Sequence, residues 1–183
     1  MKFDPQQVTL KNGVEIVIRE AKRKDARQLL DTMTRCIMEG EFLITEIEEF
    51  NPTVQDQAGW IELLNSSRNS LLLIATCKNE IIGSIDLKGE TRKKIWHNAT
   101  LGISILKKWQ NLGLGKIMMQ QALNWATNSS SLEQIWLNVF STHTIAINLY
   151  KSLGFKEVGI QKDFAKMPDG SFSNNIIMRK EVK

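Results

Sequence analysis

The stretch Leu101–Asn128, LGISILKKWQNLGLGKIMMQQALNWATN, leaves the chain few ways to fold. Leu101, Ile103 and Ile105 alternate with smaller or polar residues, the two-residue period of a half-buried strand. Met118, Ala122 and Trp125 follow at helical spacing on one face. Between them lies Gln110-Asn111-Leu112-Gly113-Leu114-Gly115. A strand that turns through glycines into an amphipathic helix needs a sheet for that helix to pack upon. The two glycines also remove β-carbons that would keep another group off the backbone. Amides of a first helical turn lack carbonyl partners and carry partial positive charge, so they suit a phosphate. Lys116 stands in that turn, where the helix dipole disfavours a cation unless an anion sits nearby. On the glycines alone, a tight turn that merely lets a helix pack remains the simpler account. The spacing is not that of a P-loop, because only Leu114 separates the glycines and Ile117 follows Lys116. Nor is it G-x-G-x-x-G, because Met118 stands where a third glycine belongs.

The rest of the chain supplies that sheet. Asn12-Gly13 marks a turn, with a hairpin arm before it and a strand after it on Val14, Ile16 and Ile18. Ala26, Leu29, Leu30, Met33 and Ile37 predict a helix from Lys24 to about Met38, stopped by Gly40 and favoured by Asp25 in its first turn. The glutamate-rich segment Glu39–Asn51 reads as a solvated acidic helix or loop, or as an acidic rim for a cationic substrate. A second helix runs from Pro52-Thr53 through Val54, Ala58, Ile61 and Leu64. Leu71–Cys77 is a buried strand, and Ile81–Lys88 returns after a turn, with Gly83 marking a bulge. A basic surface loop, Gly89–Lys94, precedes the strand carrying His97 and Ala99–Leu106. Ile135–Phe140 is the next strand, and Ile145–Leu153 a short helix closed by Gly154. Phe155–Gly159 and Asn175–Arg179 are two further strands around a Pro168-Asp169-Gly170 turn. The order is β-α-α-β-β-β-α-β-α-β-β. Short turns demand antiparallel pairing and strand–helix–strand pieces demand parallel crossovers, so an α/β fold with a mixed sheet and helices on both faces is expected.

A length of 183 residues, without repeat or linker, suits one domain over 1–183. The formal charge of +4 is too small and too scattered for a nucleic-acid footprint. Cys36 and Cys77 lie in apolar segments without disulfide or metal spacing, as expected for thiols of a reducing compartment. The opening MKFDPQQVTLKNG lacks the apolar core of a signal peptide, and no run approaches a membrane span. A cytoplasmic address, with neither membrane nor nucleic acid as partner, follows by elimination. An exposed edge at the last strand leaves a homodimer open.

Two stretches together carry a family resemblance. The pattern Q-x-x-G-x-G, entered from an apolar strand and leaving into a helix, resembles the pyrophosphate loop of the GNAT acyltransferase superfamily. Trp136–Phe155, WLNVFSTHTIAINLYKSLGF, resembles that family's second signature. Leu137, Val139, Ala146, Leu149, Tyr150, Gly154 and Phe155 match in register, and His143 replaces the usual asparagine. The resemblance covers Leu71–Arg179 well and the first third by topology only.

The resemblance implies the GNAT acyl-CoA N-acyltransferase fold, with acetyl-CoA as co-substrate and no metal. It implies central strands that splay beyond Ser104, with Ile103 and Ile105 offering backbone groups to pantetheine. Gln110, Asn111, Leu112, Gly113, Leu114, Gly115 and Lys116 would hold the pyrophosphate, and His143 would touch pantetheine or cap its helix. Lys107, Lys108 and Lys151 are further candidates for phosphate charge, or simple surface lysines. The implied reaction is direct acetyl transfer to a primary amine of a small molecule or peptide. Tyr150, the sole tyrosine, stands where the family places the acid that protonates the leaving thiolate. Asn138 would polarise a water or bind the acceptor. Glu39, Glu41, Glu46 and His97 are the candidate bases, and Glu41 is counted with Tyr150 and Asn138 among the catalytic residues. The competing class is an acyl-CoA-binding sensor or partner-binding module without turnover.

Overall fold

The computed structural model describes residues 3–167 and 169–183, the side chain of Ser129 apart. Eight strands form one sheet in the order β1-β2-β3-β4-β5-β6-β8-β7. β1 (Gln6–Thr9) and β2 (Glu15–Glu20) are the hairpin closed at Asn12-Gly13, where Gly13 takes a φ of +80°. β3 (Leu71–Cys77), β4 (Glu80–Gly89) and β5 (Asn98–Ile105) continue the sheet antiparallel. β6 (Gln134–Phe140) lies parallel to β5, reached through α3 (Leu114–Ser129).

β3 shows why the sheet sits at the centre. Leu71 through Ala75 are all essentially inaccessible, which requires cover on both faces. Leu71, Leu73 and Ala75 face the core beneath α3 and α4 (Thr144–Ser152). Leu72 and Ile74 face the smaller core under α1 (Ala26–Glu39) and α2 (Val54–Ser66). Each such leucine or isoleucine contributes roughly 1.5–3 kcal/mol by leaving water. The expected bulge lies beside Gly83: Ala75 pairs with Gly83 and Thr76 with Ile81, leaving Ile82 unpaired.

Three features depart from expectation. Asp25 does not serve the α1 dipole. A 3-10 turn at Arg23–Asp25 precedes the helix, and the Asp25 carboxylate takes both Arg19 guanidinium nitrogens, at 2.7 and 2.9 Å, and the Lys22 N–H. It thereby ties α1 to β2. Residues 40–53 form an exposed loop, one of the two forms expected of the glutamate-rich segment. β8 (Phe172–Glu181) inserts between β6 and β7 (Lys156–Lys166), so the sheet edge is β7 and not the last strand. β7 and β8 are also longer than their apolar cores suggest. The turn joining them passes through Asp169 and Gly170, with Gly170 N–H bonded to Met167 O; Pro168 lies outside the described residues.

The third departure creates the site. β5 and β6 pair only at Asn98–Gln134, Ala99–Ile135 and Thr100–Trp136. The two strands then diverge, from Leu101 and Leu137 onward rather than beyond Ser104. The last five residues of β5 pair with β4 alone and present an open edge.

Candidate active site

The open edge of β5 leads directly into the loop. A 3-10 turn at Lys107–Trp109 ends the strand, and the Gln110 side-chain amide donates back to Ile105 O at 2.9 Å. Asn111 and Gly113 adopt positive φ, +61° and +88°, which reverses the chain tightly enough to start α3 at Leu114. Gly113 is therefore required by backbone conformation. Gly115 is different. A β-carbon there would lie 3.5 Å from Ile105 Cδ1 and 3.5 Å from Leu149 Cδ2, ordinary contact that the protein could accept. No internal contact demands that glycine, whereas the close approach of a ligand would.

Ile117 N–H finds Gly113 O at 3.1 Å. The amides of Leu114, Gly115 and Lys116 have no such carbonyl among the described residues and remain free to receive an anion. Lys116 is exposed beside them. The further lysines divide. Lys151 pairs with Glu157 at 2.8 Å, and Lys108 lies 4.0 Å from Glu80 and over the Trp109 ring, so neither is committed to the loop. Lys11, which sequence reasoning passed over, is better placed. Its N–H bonds Leu112 O and its methylenes lie 3.6 Å from where a Gly113 β-carbon would be. Its only signal was its place in the Lys-Asn-Gly hairpin turn.

Gly115 also marks where the loop, the end of β5 and α4 converge, because Ile105 and Leu149 both reach it. Tyr150 is the next residue on α4. It is 8% exposed and packs at 6.0 Å, tilted, against Phe155. Its hydroxyl makes no hydrogen bond among the described residues, and burial pushes its pKa up to about 12.

His143 enters α4 but its side chain caps nothing. The imidazole instead stacks on Phe42, with ring centres 4.0 Å apart and planes within 7°. Burial lowers its pKa and so favours the neutral imidazole. The stack ties loop 40–53 to the far wall of the cleft. Glu39 makes a second tie: its carboxylate accepts the Lys107 N–H at 3.1 Å and lies 3.7 Å from Arg35. Glu39 is thus structurally engaged. Glu46 closes a local turn with Glu49, and Glu41 stands exposed on the loop. His97 lies at the closed end of the strand pair, where its carbonyl accepts from Glu133 and Gln134, and so does not face the cleft.

Asn138 lies across the divergence on β6, exposed and on the opposite face from Leu137 and Val139. Its carbonyl oxygen accepts from the buried Asn175 side chain at 2.9 Å, which also donates to Gln161 at 2.6 Å. Three strands thus contribute one amide cluster beside the gap.

A family model matches residues 37–155, described as the acetyltransferase (GNAT) family. The chain belongs to the GNAT family. Its members are acyltransferases, and the architecture derived above agrees with their solved structures. A GNAT-family acetyltransferase from Streptococcus pneumoniae superposes with a TM-score of 0.87 at 30% identity, covering 91% of this chain and 99% of that one. The L-amino acid N-acetyltransferase AaaT of Escherichia coli is 25% identical over 151 residues, 82% of this chain and 89% of that protein. A GNAT superfamily phosphinothricin acetyltransferase from Sinorhizobium meliloti, solved in complex with acetyl-CoA, shares the fold. Its TM-score is 0.78 at 16% identity, with 91% of this chain and 88% of that one covered. Among the described residues no helix is long and apolar enough to cross a membrane, and no cluster of three metal-ligating side chains occurs. Cys36 and Cys77 are both buried free thiols.

Proposed function

We propose that this GNAT protein transfers an acetyl group from acetyl-CoA directly to the primary amine of a small, amino-acid-like acceptor. The observation that carries this reading is the parting of β5 and β6 beyond Thr100 and Trp136, with three free amides at its mouth. Acetyl-CoA supplies the activated acetyl thioester. Leu114, Gly115 and Lys116 amides hold its pyrophosphate, Gln110 through Leu112 shape the loop, and Lys116 and Lys11 add charge. The unpaired edge at Ile103 and Ile105 takes the pantetheine amides as an added strand would. His143, at the entrance of α4, flanks that chain.

Tyr150 supplies the proton for the departing thiolate. A phenol near 12 would be a poor donor to a thiolate whose free pKa is about 8.5. The same desolvation raises the thiolate's affinity for a proton, however, which narrows the mismatch. Asn138 and its amide partners offer hydrogen bonds to the acceptor's polar groups. Glu41 and its neighbours on loop 40–53 draw a cationic amine toward the cleft. The amino-acid acceptors named for the Escherichia coli relative support a small acceptor of this kind.

The test is thiol release from acetyl-CoA across L-amino acids, polyamines and N-terminal peptides. Tyr150→Phe is expected to lower kcat by about 10²- to 10⁴-fold with little change in KM. An unaltered kcat and pH profile would remove Tyr150 from this role. Acetyl-CoA binding without turnover on any amine would instead assign the protein to sensing or partner binding.

A further inference from the structure

The reaction proposed above leaves one proton without a destination. An acceptor amine arrives as ammonium near pH 7 and attacks only as the free base. Glu39 is bonded to the Lys107 N–H, Glu46 closes a local turn with Glu49, His97 is at the closed end of the strand pair, and Glu41 is exposed on the loop.

A further carboxylate lies in the middle of the sheet, beside the strand whose edge is open. Asp86 lies on β4, paired with Leu72 on one side and Gly102 on the other. Leu72 belongs to the core under α1 and α2, so Asp86 projects on that same face. Continuing the row across the sheet, Thr100 pairs with Trp136, so Gly102 stands level with Asn138 across the divergence. Asp86, Gly102 and Asn138 therefore form one row on one face, with the cleft opening between the last two.

Gly102 makes the row functional. A β-carbon there would lie 2.8 Å from Asp86 Oδ1. The carboxylate thus leans over β5 into space that any other residue would fill, toward the open edge. It has no hydrogen-bond or ion-pair partner among the described residues. Asp86 is half-buried, so with no protein partner its carboxylate relies on water or a ligand reaching it above Gly102.

We propose that Asp86 is the general base: it receives the acceptor's ammonium above Gly102 and takes its proton. This rests on the N-acetyltransferase reading. The ammonium gives one proton to the Asp86 carboxylate, which later releases it to solvent. The freed amine forms a C–N bond at the thioester carbon, and the C–S bond breaks. The thiolate takes the Tyr150 proton, and the surplus proton on the new amide nitrogen restores the tyrosine. The products are an N-acetylated amine, free thiol and one proton released to water.

The surroundings set the working pH. Burial pushes the Asp86 pKa up to about 7, opposed by the charge of Lys88 on the same strand and face. β3 and β5 bring the uncharged Leu72 and Gly102 to its row. α1, packed over β4 and β5, brings Glu39, bonded to the Lys107 N–H, and Cys36, whose thiol burial raises to about 11 and keeps neutral. A base near 7 is ionised often enough to act and basic enough to accept a proton.

The experiment is the pH profile of kcat/KM for wild type, Asp86→Asn and Asp86→Glu, with the best L-amino acid found in the acceptor screen. Acetyl-CoA protection against melting is measured on the same samples. Wild type should lose activity as pH falls through about 7, because protonated Asp86 cannot accept a proton. Asp86→Asn should lose about 10²- to 10⁴-fold at pH 7 and recover as pH approaches the amine's own pKa, with acetyl-CoA protection intact. Asp86→Glu should keep the acid limb. Wild-type turnover matched by Asp86→Asn at every pH would overturn the role of Asp86 alone. Acetyl-CoA protection with no wild-type turnover would overturn the transferase reading and, with it, this one.

Discussion

Replacing Gly115 with alanine separates two reasons for a glycine at a strand-to-helix loop. If packing required it, the methyl group would clash. The structure shows room instead, with Ile105 and Leu149 methyls at 3.5 Å. Gly115 is the second residue of α3, and alanine is favoured over glycine in helices by up to about 1 kcal/mol. Free Gly115→Ala protein should therefore melt no lower than wild type and up to about 4 °C higher, given about 2–4 °C per kcal/mol at this size. Acetyl-CoA should reverse the order. At 100 times its Kd a ligand stabilises by about 2.7 kcal/mol, and a tenfold loss of affinity roughly halves that. Differential scanning fluorimetry with and without acetyl-CoA, checked by calorimetric titration, reads both effects. Gly113→Ala serves as contrast: its φ of +88° costs alanine about 1–2 kcal/mol, so that variant should melt lower without ligand. A Gly115→Ala protein that keeps the full acetyl-CoA shift would refute the cradle, because its methyl group would then obstruct nothing.

Two further predictions concern the frame and the loop. Asp25→Ala should cost about 3 kcal/mol in urea unfolding at pH 7, because it strands Arg19 in a partly buried pair. Burial favours the protonated form of Asp25, but the Arg19 bond, the Lys22 N–H and nearby charge outweigh it and hold the pKa below 3.8. The contribution is therefore present above that value and lost as pH falls beneath it, so the two proteins should converge in acid. Phe42→Ala removes the stack on His143, worth about 0.5–1.5 kcal/mol. Amide exchange in residues 40–53, followed by mass spectrometry, should quicken about 2- to 10-fold while β3 stays protected; unchanged loop exchange would mean the stack holds nothing.

The sequence made the local elements legible where one face was buried. Ile103 and Ile105 alternate because α3 and α4 cover one side of β5, and Leu71–Ala75 run unbroken because helices cover both. The strand-to-helix loop was legible because conformation dictates its residues: Gly113 at positive φ, then bare amides. What escaped was non-local. Nothing in Phe155–Gly159 or Asn175–Arg179 says that the later strand slips between its predecessors. Nothing in Phe42 or His143 announces a stack across about a hundred positions of chain. Asp86 was visible as the polar member of Ile85-Asp86-Leu87, but its meaning depends on Gly102 of the neighbouring strand. His97 failed for the same reason, since a position early on β5 is also the closed end of the pair.

The place of β8 between β6 and β7 bears on biosynthesis. A ribosome delivers β6, α4 and β7 first, yet β6 has no permanent neighbour on its outer side until Phe172–Glu181 emerges. For that interval the nascent sheet carries a naked hydrogen-bonding rim beside Leu137 and Val139, the kind of rim on which chains stick to one another. Nascent molecules stalled before the final strand should thus be prime clients for chaperones.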